Sequence, residues 1–169
     1  MAYFERERIF PYTPAQMWAV LADYDNHRIW NPYTRLKMLG EDPVILRYEL
    51  RMGPHKPRFL EVPATVLAAY PERLLTIDVR PNFLLKFEES YALSPVEGGT
   101  KLHHSFAVRG LLVGLRLPGV RKSFKTMLDS VDGILASWLD RKYKRSAPRV
   151  VPPSRPKPRP KPKFCGGRR

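Results

Sequence analysis

Between residues 119 and 144, apolar side chains recur every three or four positions: Val120, Phe124, Met127, Leu128, Val131, Leu135, Trp138 and Leu139. That spacing puts them on one face of an α-helix. Lys122, Lys125, Asp129, Asp132, Asp140 and Lys142 are expected on the opposite, solvated side. About 25 residues at 1.5 Å each give a rod of roughly 37 Å, and a ten-residue strand spans roughly 33 Å. The helix is long enough to lie along a whole sheet and cover its apolar face. Gly133 interrupts its interior at a cost of roughly 1 kcal/mol relative to alanine, which marks close packing or a point of flexing.

Upstream the period changes to two. Residues 33–39, 44–52, 58–69, 73–80, 86–94 and 100–109 alternate apolar with polar and read as strands, preceded by a first strand from Tyr3 to Phe10. Gly40, Gly53-Pro54, Pro71, Pro81-Asn82 and Gly98-Gly99 punctuate them. Intervals this short suit antiparallel hairpins, because a parallel crossover needs a dozen or more residues. Pro63, inside the longest run, predicts a bulge or an edge. Thr13-Pro14-Ala15-Gln16 reads as a helix start, with Thr13 as N-cap and Gln16 closing a capping box. Met17, Val20 and Leu21 form its apolar face, and a second short turn, Tyr24 to Trp30, stops at Asn31-Pro32. The order is one strand, two small helices, six strands and a long helix, an α+β chain.

Trp18 in the first helix, Asp23…Trp30-Asn31-Pro32, and Leu93-Ser94-Pro95…Gly98-Gly99-Thr100 carry a resemblance. In this order and spacing, over residues 3–144, the chain resembles the START-like (SRPBCC) superfamily. That group includes polyketide cyclase/dehydrase-like proteins, lipid-transfer domains and plant pollen allergens. The resemblance implies a helix-grip fold, in which a curled seven-stranded antiparallel sheet wraps the long C-terminal helix and leaves an apolar cavity. It carries no shared catalytic motif, so no catalytic residue follows from it.

Sheet parity and the helical stripe name the expected lining of such a cavity: Tyr48, Leu50, Met52, Val66, Leu75, Ile77, Phe87, Tyr91, Phe106, Phe124, Met127, Leu128, Val131 and Leu135. Each of these also suits a solid core. Pairing Leu93 with Leu102 across Gly98-Gly99 sets Tyr91 opposite His104, with Glu89 on the diagonal. Glu89, Tyr91 and His104 then form a polar island on an apolar surface. They are candidates for holding a ligand's polar head or for acid/base catalysis, and equally for satisfying one another. His103 has the opposite parity, and His27 and His55 are expected in loops. Without metal-ligand spacing among histidines, or a cysteine pair, neither metal nor cofactor is expected.

Charge changes the picture only at the end of the chain. The net charge is +14, yet all 16 acidic residues lie at or before Asp140, and the first 140 residues hold 18 basic groups. The surplus is the 12 basic residues beyond Asp140, eight of them in residues 146–169, where prolines alternate with Arg and Lys from Arg155 to Lys163. This segment reads as an extended, disordered tail appended to a domain over residues 1–145. One aromatic, Phe164, gives little base stacking, which argues against nucleic acid as a partner. The loop Leu111–Leu117 is unusually apolar and has basic flanks. With the tail it supplies the two weak signals that adsorption to an anionic membrane needs.

A lone cysteine, Cys165, and an N-terminus without an apolar h-region fit a cytoplasmic protein, or one peripheral to the inner membrane face. Three functions stay open at this point. They are a carrier of a small hydrophobic molecule or lipid, a polyketide cyclase/dehydrase-like enzyme, and a tail-driven nucleic-acid or membrane tether.

Overall fold

In a computed structural model, residues 1–51, 58–82, 85–110 and 118–144 are described, without the side chains of Asn82 and residues 118–125. The elements are β1 (Ala2–Phe10), α1 (Pro14–Leu21), α2 (His27–Trp30), β2 (Thr34–Glu41), β3 (Val44–Arg51), β4 (Phe59–Tyr70), β5 (Leu74–Asn82), β6 (Leu85–Val96), β7 (Gly99–Arg109) and α3 (Pro118–Leu139). A π-helical turn, Asp140–Lys144, closes α3. The seven strands form one antiparallel sheet in the order β1-β7-β6-β5-β4-β3-β2. This is the expected α+β helix-grip architecture.

Strands β2 to β7 form a simple meander, but β1 returns beside β7, so β1 and β2 occupy opposite edges. The connection between them must cross the whole sheet, and α1 and α2 make it. Thr13 caps α1 as its residues predict: its hydroxyl accepts from the Gln16 amide at 3.2 Å, while the Gln16 side chain accepts from the Thr13 amide at 3.0 Å.

One face of the sheet turns inward. Phe10 from β1, Leu46 and Tyr48 from β3, Leu75, Ile77 and Val79 from β5, Phe87, Tyr91 and Leu93 from β6, and Leu102 and Phe106 from β7 are all buried there. Leu128, Val131, Leu135 and Leu139 of α3 join this core, as the three-four spacing requires. The sheet is strongly curled. The Tyr48 hydroxyl donates to Glu89 at 2.9 Å although β3 and β6 stand three places apart in the sheet. In a flat sheet, three strand spacings amount to roughly 14 Å. Register shifts between Met38 and Gly40 and between Val66 and Ala68 supply bends of the kind that bulges introduce. Pro63 pairs with Arg47 on β3, and the β4–β5 ladder ends one residue away at Ala64–Val79, so proline's missing N–H falls at a local edge.

Two glycines in the β6–β7 hairpin differ in what they tolerate. Gly98 has φ +83 and open space around it, whereas a Cβ on Gly99 (φ +149) would overlap the Phe10 carbonyl. The start of β7 must pass this close because the Thr100 hydroxyl donates to the Tyr12 carbonyl at 2.6 Å. Gly133 needs no such closeness, as a Cβ there meets nothing within 4 Å, so close packing is not the reason for this glycine. Gly99→Ala is expected to cost about 3 kcal/mol and lower the melting temperature by roughly 6–12 °C. Gly98→Ala should cost only about 1 kcal/mol. Thermal unfolding followed by circular dichroism checks both, and equal shifts would refute the close approach at Gly99.

Candidate functional site

The β6–β7 hairpin takes the register that the sequence suggests: Leu93 pairs with Leu102, Tyr91 with His104 and Glu89 with Phe106. Alternation along each strand turns Glu89, Tyr91 and His104 to the inner face, where all three are buried. Tyr91 and His104 stack with ring centroids 4.2 Å apart and planes 20° from parallel.

Glu89 is the hub of this cluster. Its Oε1 accepts from the Tyr91 hydroxyl at 2.5 Å and lies 3.2 Å from His104 Nε2, while Oε2 accepts from the Tyr48 hydroxyl at 2.9 Å. The other imidazole nitrogen faces α3. His104 Nδ1 stands 3.5 Å from Asp132 Oδ1, an ion-pair contact without hydrogen-bond alignment. Arg6 of β1 pairs with His104 in the ladder, and its Nε lies 3.2 Å from Asp132 Oδ2. Arg6 also contacts Asp129 and is 36% exposed, so the ionic chain runs from solvent into the core through Arg6, Asp132, His104 and Glu89.

Two opposing effects set the charge states. Burial alone would push the Glu89 carboxyl up, but donation from His104, the imidazolium charge and the Tyr91 hydroxyl hold it below the usual carboxylate value. Burial alone would push His104 down, and Asp132 and Glu89 together hold it above the ordinary imidazole value. Both directions favour the charged forms of Glu89 and His104. Burial, then the Glu89 charge, raises the Tyr48 and Tyr91 phenols well above their ordinary range.

Two residues differ from the sequence expectation. Asp132 is not on the solvated face of α3; it is 1% exposed and points at His104. The helical spacing holds the signal, since Asp132 follows Leu128 by four residues and precedes Leu135 by three and Leu139 by seven. An aspartate inside an apolar stripe needs a cation, and His104 with Arg6 supplies it. His27 is not in a loop but on α2, 2% exposed, with its ring 4.5 Å from that of Trp30 and Nδ1 3.4 Å from the Thr34 carbonyl oxygen. A four-residue helix is too short to show a period, so only the tertiary fold reveals this.

Of the residues expected to line a cavity, Tyr48, Leu75, Ile77, Phe87, Tyr91, Phe106, Leu128, Val131 and Leu135 are buried between sheet and helix. Leu50, Val66 and Met127 are half-buried against the same core. Met52, His55, the loop Leu111–Leu117 and the tail lie outside the described residues, as does the Phe124 side chain. A separate cleft of about 240 Å³ lies between Val20, Asp23, Asn26, Ile29, Trp30, Trp138 and Lys142, and uses none of these. Among the described residues, no group of His, Cys, Asp and Glu has a metal-binding arrangement, and no helix is long and apolar enough to cross a membrane.

The chain belongs to the polyketide cyclase / dehydrase and lipid transport family, whose model matches residues 1–147. No curated protein matches the sequence. The fold is similar to that of a protein from Thermus thermophilus, with TM-score 0.68 and 12% identity, covering 84% of this chain and 99% of the other. It is also similar to the aromatase/cyclase Zhui of Streptomyces sp. R1128, with TM-score 0.59 and 12% identity over 85% of this chain and 94% of the other. The di-domain ARO/CYC StfQ of the steffimycin biosynthetic pathway gives TM-score 0.65 and 14% identity over 85% of this chain and 50% of its own. At these identities the likeness is one of fold.

His27 sets the acid limit of this interior. Burial pushes it down to about 4, against which the Glu89 charge works only in part. Below pH 6.5 the unfolded chain takes up a proton at His27 that the folded chain refuses, so stability falls with pH until about pH 4. His104, held above its ordinary value, has the opposite sign and loses its contribution as pH rises through its folded value. Glu89 contributes above the unfolded carboxyl range and weakens only as pH falls through its lowered value. Between pH 7 and 5 the His27 effect amounts to about 2 kcal/mol. Urea unfolding at these two pH values should show the native protein losing about 2 kcal/mol more than His27→Gln, the opposing His104 contribution being common to both. An unchanged loss in the variant refutes the assignment.

Proposed function

We propose that this protein binds a small, largely hydrophobic molecule between the inner face of the sheet and α3, with the ligand's polar group held at Glu89, Tyr91 and His104. The observation that carries this reading is the charged cluster itself, sealed in an apolar interior. Well-packed apolar residues in place of a buried ion pair are often neutral for stability or better by about 1–4 kcal/mol. The cluster is thus poorly explained as a stabilising device and well explained as a device for recognising a polar atom. Phe4, Leu50, Val66, Leu85 and Met127, which pack against the core but are only half-buried, supply apolar surface for the rest of a guest. The expected lining from Tyr48 to Leu135 remains part of this proposal.

A second reading is favoured by one feature. Glu89 orients His104 through Nε2, while Nδ1 has only an ion-pair contact with Asp132 at 3.5 Å and no hydrogen bond among the described residues, which leaves one nitrogen for the proton exchange that a general acid or base performs. Catalysis of the cyclase/dehydrase kind, in which His104 exchanges a proton with a bound substrate, belongs to the same site. Transfer of the guest at an anionic membrane, in the cytoplasm and through the loop Leu111–Leu117 and the tail 146–169, is a further part of the carrier reading. It rests on their composition alone.

Native mass spectrometry of the protein purified from its host tests the binding reading. A bound small molecule released on denaturation is the expected result, and a uniformly empty protein counts against it. The double variant Glu89→Leu/His104→Leu keeps the core apolar and is expected to fold, with ligand retention reduced at least about tenfold. Unchanged retention in a folded variant sinks the role given to the cluster.

A further inference from the structure

The cleft at the C-terminal end of α3 is separate from the interior, and its chemistry is its own. Val20 of α1, Ile29 and Trp30 of α2 and Trp138 of α3 give it apolar walls, while Asp23, Asn26 and Lys142 form its polar part. Both indoles are held in place: Trp30 is buried with its ring against His27, and Trp138 is half-buried against the core. Ile29 is 53% exposed, a large apolar side chain left facing water. At about 240 Å³ the cleft is smaller than the roughly 300–1,000 Å³ of pockets that take drug-sized molecules. It has room for one or two side chains. Aromatic-walled grooves are what proline-rich segments dock into, because the proline ring offers a rigid apolar face and its fixed φ leaves little entropy to lose.

This chain carries such a segment within reach. Lys142 lines the cleft, and the described chain ends two residues later, at Lys144. The sequence continues Arg145-Ser146-Ala147-Pro148-Arg149-Val150-Val151-Pro152-Pro153-Ser154-Arg155. Residues 150–153 put two valines and two prolines together without a charge between them, whereas from Arg155 to Lys163 every second residue is basic. Five residues, 145–149, span about 15 Å at roughly 3.1 Å each, more than the roughly 10–12 Å diameter of a helix. That length lets the chain turn back over the end of α3. Charge favours the same occupant. The α1–α2 connection, residues 22–26, holds Asp23 and Asp25 and no basic residue, and Arg149 and Arg155 flank the valine–proline run. The Asp23 carboxylate is fixed by the Asn26 amide, which donates to its two oxygens at 3.1 and 3.0 Å, and it keeps lone pairs for a cation. Lys142 disfavours a cation on the α3 side and leaves that side to apolar residues.

We propose that the cleft between α1, α2 and the end of α3 is an intramolecular docking site for residues 150–153 of this chain's own tail, with the prolines against Trp30 and Trp138 and a flanking arginine at Asp23. The basic run from Arg155 onward stays outside the cleft. Tethering makes a weak contact sufficient. A short linker presents its segment at an effective concentration of about 1 mM, so an intrinsic affinity of only about 0.1 mM keeps the cleft filled roughly nine-tenths of the time. The inference is independent of ligand binding on the inner face, because the cleft shares no residue with the expected lining.

The full chain tests it. Cys165→Ser with Ser154→Cys moves the single thiol next to the docking run, where it takes a nitroxide label. In the proton–nitrogen correlation spectrum, the indole N–H signals of Trp30 and Trp138 are expected to lose most of their intensity at low salt and to regain it when the label is reduced. Replacing residues 150–153 by serine, with the label kept, should restore both signals. Ile29→Lys, at an exposed position of the cleft, should restore them without touching the tail. The serine replacement leaves the body unchanged and decides the matter if Ile29→Lys does not fold.

Indole signals that stay sharp in the labelled chain overturn the inference. Broadening that survives the serine replacement reports the tether alone and overturns it too, as does broadening that survives in folded Ile29→Lys. Broadening of an isotope-enriched, unlabelled chain by a spin-labelled, unenriched one assigns the cleft to the tail of a second copy and overturns the intramolecular contact.

Discussion

One helix has to cover the inner face of seven strands, and the rest of the molecule follows from that constraint. A flat sheet of this size would leave most of its apolar face wet, so the sheet curls until β3 and β6 approach one another across the hollow. The contact between Tyr48 and Glu89 measures that curl directly. The return of β1 to the β7 edge widens the sheet and forces α1 and α2 across its open side. Helix α3 then presents Leu128, Val131, Leu135 and Leu139 to the hollow, all buried, and the short helices close what α3 leaves uncovered.

Within this apolar enclosure the ionic groups form one connected system. Glu89, His104 and Asp132 are each at most 3% exposed by side chain, while Arg6 reaches solvent. If His104 were neutral, two carboxylates would face Arg6 alone and the interior would carry a net negative charge. With His104 protonated, the four groups balance. Burial by itself favours the neutral imidazole, so the carboxylates on both sides decide the outcome.

Much of this was legible in the sequence because it depended on local periodicity. The alternation in 86–94 and 100–109, with Gly98-Gly99 between them, was enough to set Tyr91 opposite His104 and Glu89 nearby, since a two-residue turn fixes register. The capping box at Thr13 was legible for the same reason: its partners are three residues apart. Asp132 is hidden when helix positions are sorted by polarity before angle; its angular position lies among Leu128, Leu135 and Leu139. His27 and Tyr48 were hidden by distance. The curl that brings β3 to β6, and the crossing that buries α2, are properties of the whole sheet, and no window along the chain contains them.

The position of Arg6 explains how such a network is tolerated in an apolar interior. A wholly buried carboxylate–imidazolium–carboxylate group carries one uncompensated negative charge, which the interior would tolerate only by taking up a proton. Arg6 removes that charge from the boundary, because a guanidinium stays protonated under all ordinary conditions and can keep part of its surface wet. Its partner strand β1 is the edge strand that the topology brings back beside β7, directly opposite His104. The unusual return of β1 is thus more than a way to widen the sheet. It places a permanent cation beside the buried Asp132. Asp132 in turn faces His104 from the helix side while Glu89 holds it from the sheet.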